Sequence, residues 1–181
     1  MSNPRFLAAL ALVVSTSGCA RESPAPPRAV PASAAVDARP AAAEIVAVHL
    51  TGDGPRTLAE ARGQVVVLHF WASYIDPSRR SLARYQALQA GYPGQVAVIG
   101  IGIDEPGPGV EAALTDFATD VDVRFPLVWD RSGKTKAAYR PRHLPSTYVI
   151  DQEGELRFVH ARDEAGTDDM VALQVESLLS R

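Results

Sequence analysis

Helices covering both faces of a central β-sheet, the α/β class, are what this sequence predicts, and three observations predict it. Two uninterrupted apolar runs, "QVVVLHFWA" from Gln64 and "QVAVIGIGID" from Gln95, read as strands buried on both faces. Each is followed by a stretch with helical spacing of its apolar residues. The last third holds two extended pieces around the turn "QEG". At 181 residues, 46% of them hydrophobic, the chain has room for one globular domain plus extra segments. A formal net charge of -3 sets it apart from nucleic-acid binders, which carry a basic excess.

The elements follow in order. "EIVAVHL" reads as a short strand and "TLAEA" as a turn of helix. After the first buried run, "PSRRSLARYQALQAG" is helical, with Leu82, Tyr85 and Leu88 on one stripe and Gly91 near its end. The second buried run leads to the amphipathic helix "GVEAALTDFATD". "FPLVWD" is a short extended piece and "SGKTKAAY" a short helix. "STYVID" and "ELRFVHA" form a hairpin, and "DDMVALQVESLLS" closes the chain as a helix.

The N-terminus is of a different kind. "MSNPRFLAALALVVSTSGCA" has one cation, Arg5, then an apolar stretch from Phe6 to Val14 and small residues, the shape of an export signal and too short to span a bilayer. Thr16-Ser17-Gly18-Cys19 resembles a bacterial lipobox, with Thr16 in place of the usual Leu. It makes residues 1–18 a lipoprotein signal peptide and Cys19, the only cysteine, an acylated membrane anchor. Ala20 is not the acidic residue linked with inner-membrane retention in some bacteria, which points to the outer membrane. Residues 19–43, dominated by Ala and Pro, lack the apolar content for a core and read as a tether. The domain is then expected over 44–181.

"VVVLHFWASYIDPSR" and "LPSTYVIDQEGEL", in this order and setting, resemble the TlpA/ResA-like family of envelope thioredoxin-fold proteins. The resemblance implies a thioredoxin-like three-layer α/β/α sandwich with a central mixed sheet. In that family the frame Phe-Trp-Ala-Ser/Thr and an aromatic residue precede Cys-Pro-Pro-Cys-Arg. Here Phe70, Trp71, Ala72, Ser73 and Tyr74 are followed by Ile75, Asp76, Pro77, Ser78 and Arg79, so Ile75 and Ser78 hold the two cysteine positions. Pro145 matches the family's cis-proline, and Glu105 a strand-end acid placed near the cysteines.

Thiol-disulfide exchange needs an attacking thiolate and a resolving thiol. Ile75 has no ionisable atom, Ser78 cannot form a disulfide, and Cys19 lies before the tether, so no catalytic residue is assigned. The expected function is a redox-inactive binding module for an envelope protein or an extended peptide, with Tyr74, Ile75, Asp76, Leu144 and Pro145 around the groove. The alternative is a periplasmic thiol-disulfide oxidoreductase of the family, acting by chemistry not visible here. Asp76 reads as the N-cap of the helix, with Pro77 at its first position. Arg79, Arg80, Arg140, Arg142 and His143 could form a cationic rim for an anion or acidic peptide, against the plain reading that they are solvated. A hydrolase using Ser78 and His143 lacks a visible oxyanion site. A metal on Asp76, His143 and Glu105 lacks the sulfur that Cu(I) prefers, and His49, His69 and His160 read as surface or core residues. No cofactor, metal or nucleic-acid partner is expected.

Overall fold

The computed structural model describes residues 40–162 and 166–181. The expected signal peptide, Cys19 and nearly all of the tether lie outside the described residues.

Six strands form one sheet in the order β1-β4-β3-β2-β5-β6: β1 Val48–Thr51, β2 Val65–Trp71, β3 Val96–Gly102, β4 Leu127–Trp129, β5 Ser146–Ile150 and β6 Leu156–His160. β2, β3 and β4 are parallel, while β1, β5 and β6 run antiparallel to their neighbours, so the sheet is mixed. Every residue of β2, β3 and β5 is buried, as the continuous apolar runs require.

The two faces are covered unequally. Helices α1 Asp76–Gly91, α2 Val110–Val121 and α4 Thr167–Leu179 pack on one, where Leu82, Tyr85, Leu114, Phe117, Val171 and Val175 join Val67, Trp71 and Val98 in a core. The short helix α3 Lys134–Tyr139 serves the other face, together with Ile45, Leu58 and Ala61 from the chain before β2. Side chains packed on β3 explain the glycines of "GIGID": a Cβ on Gly100 would meet the Leu127 side chain at 2.4 Å, and one on Gly102 the Trp71 indole at 3.0 Å. The same indole stacks on Phe117, ring centroids 4.5 Å apart. Among the described residues no helix is long and apolar enough to cross a membrane.

Two expectations are corrected here. The domain starts before Glu44: the Leu156 N–H donates to the Pro40 carbonyl at 3.1 Å, the Ala42 N–H to the Gly154 carbonyl at 2.9 Å, and Tyr139 Oη to the Ala43 carbonyl at 2.6 Å. Residues 40–43 are held chiefly through their backbones, so Ala and Pro composition gave no sign of it. The N-cap of α1 is Ile75, with extended φ of -107° and no side-chain cap bond, and Asp76 is the first helical residue. Pro suits the second helical position as well as the first, since neither N–H has an intrahelical partner, and the cap falls one residue earlier than expected.

Candidate functional site

The site sits where β2 and β5 end side by side. Phe70 pairs with Ser146, so the segment from Ala72 to Ile75 and the one ending at Pro145 leave the same end of adjacent strands. The Leu144–Pro145 peptide bond is cis, as the resemblance implied. The Leu144 N–H and carbonyl have no hydrogen-bond partner among the described residues, and Ser146 Oγ holds the loop by donating to the His143 carbonyl at 2.5 Å.

On the β2 side the loop is clasped to β3. Asp104, buried just past the end of β3, accepts from the Ser73 N–H at 3.1 Å and from Ser73 Oγ at 2.5 Å. Its own carbonyl accepts from Trp129 Nε1 at 3.0 Å. The clasp fixes the start of α1, leaving Tyr74 71% exposed and Ile75 half-buried. Glu105, the acid that sequence comparison singled out, is exposed and pairs with Lys136 Nζ at 2.5 Å. That bond raises the Lys136 pKa, and the nearby Tyr74 adds to the effect.

Ser78 is wholly buried, and its Oγ has no partner among the described residues. On the same face of the sheet His69, 1% exposed, bonds Thr147 Oγ1 through Nδ1 at 3.0 Å, and Tyr85 Oη bonds the same hydroxyl at 2.9 Å. The His69 and Tyr85 rings meet edge-on with centroids 5.1 Å apart. His69 Nε2 has no partner among the described residues, and burial lowers the pKa from 6.5 to about 3. The imidazole is therefore neutral at physiological pH. Sequence reasoning read His69 as a surface or core residue, and the structure places it in the core; it missed Asp104, for which the available signal was the Asp at the end of "GIGID".

The expected cationic rim divides. Arg79 is turned onto α2, its guanidinium 4.4 Å from the Phe117 ring centroid and 3.6 Å from Asp120, which takes it out of the rim. Ring and carboxylate lie one turn apart on α2 and receive it together. Arg80 shares a helix face with Asp76, four residues before it. Arg140, Arg142 and His143 are exposed and their side chains have no hydrogen-bond or ion-pair partner among the described residues. Ser78 and His143 make no hydrogen bond, so a nucleophile and base are not brought together. Among the described residues no three His, Cys, Asp or Glu side chains converge as a metal site would require.

A mixed sheet with a helix springing from the end of β2 and a cis-proline at the head of β5 defines a thioredoxin fold. The AhpC/TSA family matches residues 39–159, more than half of the chain, and the chain belongs to that family, in its TlpA/ResA-like branch. It is 30% identical over 104 residues to the thioredoxin-like protein YneN of Bacillus subtilis, covering 58% of this chain and 60% of the relative. To the thiol-disulfide oxidoreductase ResA of Oceanobacillus iheyensis it is 31% identical over 100 residues, covering 55% of this chain and 50% of the relative. The chain thus spans half to three fifths of the length of these curated relatives. Among solved structures, the exposed lipoprotein thioredoxin of Streptococcus pneumoniae superposes with a TM-score of 0.60 at 26% identity, over 74% of this chain and all of that one. At the level of the family, the chain is a thioredoxin-like protein.

Proposed function

We propose that the chain is a redox-inactive, thioredoxin-like module of the cell envelope that binds a protein or extended peptide in the groove between Tyr74–Asp76 and Leu144–Pro145. One observation carries the proposal: the two positions where the family bears sulfur are Ile75 and Ser78, and the chain's single cysteine is Cys19. The free backbone of Leu144 suits strand addition, in which main-chain bonds supply affinity and alternate side chains supply selectivity. Tyr74, Ile75 and Leu144 give such a strand an apolar floor. Lipid attachment through Cys19 places the module at a membrane surface, with the outer membrane preferred.

The test is capture from an envelope extract by the wild-type chain and by a Leu144→Glu variant, alongside insulin reduction by a Cys19→Ala variant. The expected result is a partner held by wild type alone and no reductase turnover. The second reading, a thiol-disulfide oxidoreductase, is favoured by the family membership. Turnover that persists without Cys19 would establish it and overturn the proposal.

A further inference from the structure

We infer that the occupant of the groove is an acidic segment: an extended peptide whose apolar side chain on the groove floor is neighboured by Asp or Glu held by Arg140 and Arg142. The inference rests on the groove reading above and names the partner's chemistry. It starts from position: Arg80, Arg124 and Lys134 also lack an ion pair among the described residues, but only Arg140 and Arg142 stand on the segment leading into Pro145. Arg79 pairs with Asp120, Arg84 with Asp168, Lys136 with Glu105 and Arg157 with Asp151. Arg140 and Arg142, on the segment leading into Pro145, are exposed and have no carboxylate partner among the described residues. In a chain of net charge -3, that spot is not the by-product of a generally basic surface.

The backbone that carries them is unusual. Arg140 caps α3 at φ 52°, in the left-handed region where glycine is the unstrained choice. Asp122 ends α2 in the same left-handed conformation, and at Arg140 this helix ending sets a long cationic side chain at the start of the segment leading to Pro145. Pro141, between the two arginines, has a fixed φ, so the backbone that joins them is stiffened and less is lost on ordering when a ligand arrives. A guanidinium can grip a carboxylate through two parallel bonds.

The geometry gives the ligand's pattern. A strand paired to Leu144 turns alternate side chains to opposite sides, one set toward Ile75 and Leu144, the other outward to the rim. Of the acids near this end of the sheet, Asp104 and Asp130 are buried and accept from Ser73 and from the Lys136 N–H, Glu105 is paired with Lys136 and Asp76 belongs to the α1 side. Glu44 acts on Tyr139 but makes no ion pair with Arg140. The favourable side for a ligand carboxylate is therefore that of Arg140 and Arg142.

The experiment is selection from a randomised ten-residue peptide library by the full-length chain in detergent micelles, repeated with Arg140→Gln/Arg142→Gln, Arg140→Gly and Leu144→Glu. Support is an excess of Asp and Glu among peptides bound by wild type, binding of a chosen peptide weakened tenfold or more by the double variant, and weakening at high salt. Arg140→Gly guards against misfolding: relief of the left-handed backbone raises its melting temperature while its acidic preference falls. Enrichment of apolar peptides with no acidic bias, indifferent to the arginines, overturns the inference and leaves the groove reading standing. No enrichment, or enrichment untouched by Leu144→Glu, overturns both.

Discussion

The two corners that meet at the end of the sheet have diverged to different degrees from the family pattern. The β2–α1 corner has exchanged both sulfurs for Ile75 and Ser78, while the β5 corner keeps its cis-proline and the free backbone of Leu144. Even the altered corner preserves its frame, with Ser78 buried, Ile75 half-buried and Ser73 clasped by Asp104. The difference teaches that the chemistry and the binding surface of this fold rest on separate residues. The first can be removed by two substitutions that leave the second intact.

Restoring sulfur tests that separation most forcefully. Ile75→Cys/Ser78→Cys, in a chain also carrying Cys19→Ala, is expected to form an internal disulfide and to raise insulin reduction from background to readily measured turnover. Thiol titration before and after reduction should read zero and two free thiols. Two free thiols after oxidation would show that the corner's geometry, and not only its sulfur, has been lost.

The core beneath the two corners supplies the next effect. Burial lowers the His69 pKa from 6.5 to about 3, so the unfolded chain binds a proton below pH 6.5 that the folded chain refuses. Stability is therefore lost as pH falls from about 6.5 toward 3, by roughly 1 kcal/mol per pH unit. Denaturant midpoints across that range should show the slope, and His69→Gln should flatten its upper part. At Asp151 burial works upward, but bonds from Arg157 and backbone N–H groups leave the pKa lowered. Its contribution is lost as pH falls through the ordinary carboxylate value of 3.8 toward the lowered one, so the upper part of the window, above about pH 5, belongs to the imidazole alone. A slope unchanged in His69→Gln would show that the imidazole reaches water.

Ser78→Ala sharpens the comparison on a smaller scale. Its buried hydroxyl has no partner among the described residues, and deleting such a group without leaving another unpaired is expected to stabilise by about 1 kcal/mol. A loss of stability in urea unfolding would mean that an internal water satisfies the hydroxyl. Arg79→Ala is expected to cost less than about 1 kcal/mol, since the ion pair is open to solvent and the ring contact is modest. It should not change peptide binding, whereas changes at Arg140 and Arg142 should.

Much of the fold was legible because buried strands and amphipathic helices repeat their apolar residues with different periods. The vacant redox positions were legible because the residues on either side of them keep the family's frame. The partners of the site residues were not. Nothing local to Arg79 reveals Phe117 and Asp120, which reach it only when α2 packs beside α1. Asp104 looked like the end of a strand, and its role appears only when the Ser73 loop folds over it. The start of the domain was hidden for a different reason. Residues 40–42 are fixed by main-chain bonds, which every residue type except proline as donor can make.

Those same bonds decide where mechanical load enters the domain. Pro40 and Ala42 are fastened to Leu156 and Gly154 at the hairpin joining β5 and β6, while Pro145 stands at the other end of β5, about 14 Å of strand away. A pull on the preceding chain is taken up first at that hairpin, through Pro40 and Ala42, before it reaches the Ala43–Tyr139 bond beside the segment leading to the cis-proline. The lead-in segment would part from the β5–β6 turn before any strain reached the groove, and a partner docked there could be held while the far end gives way.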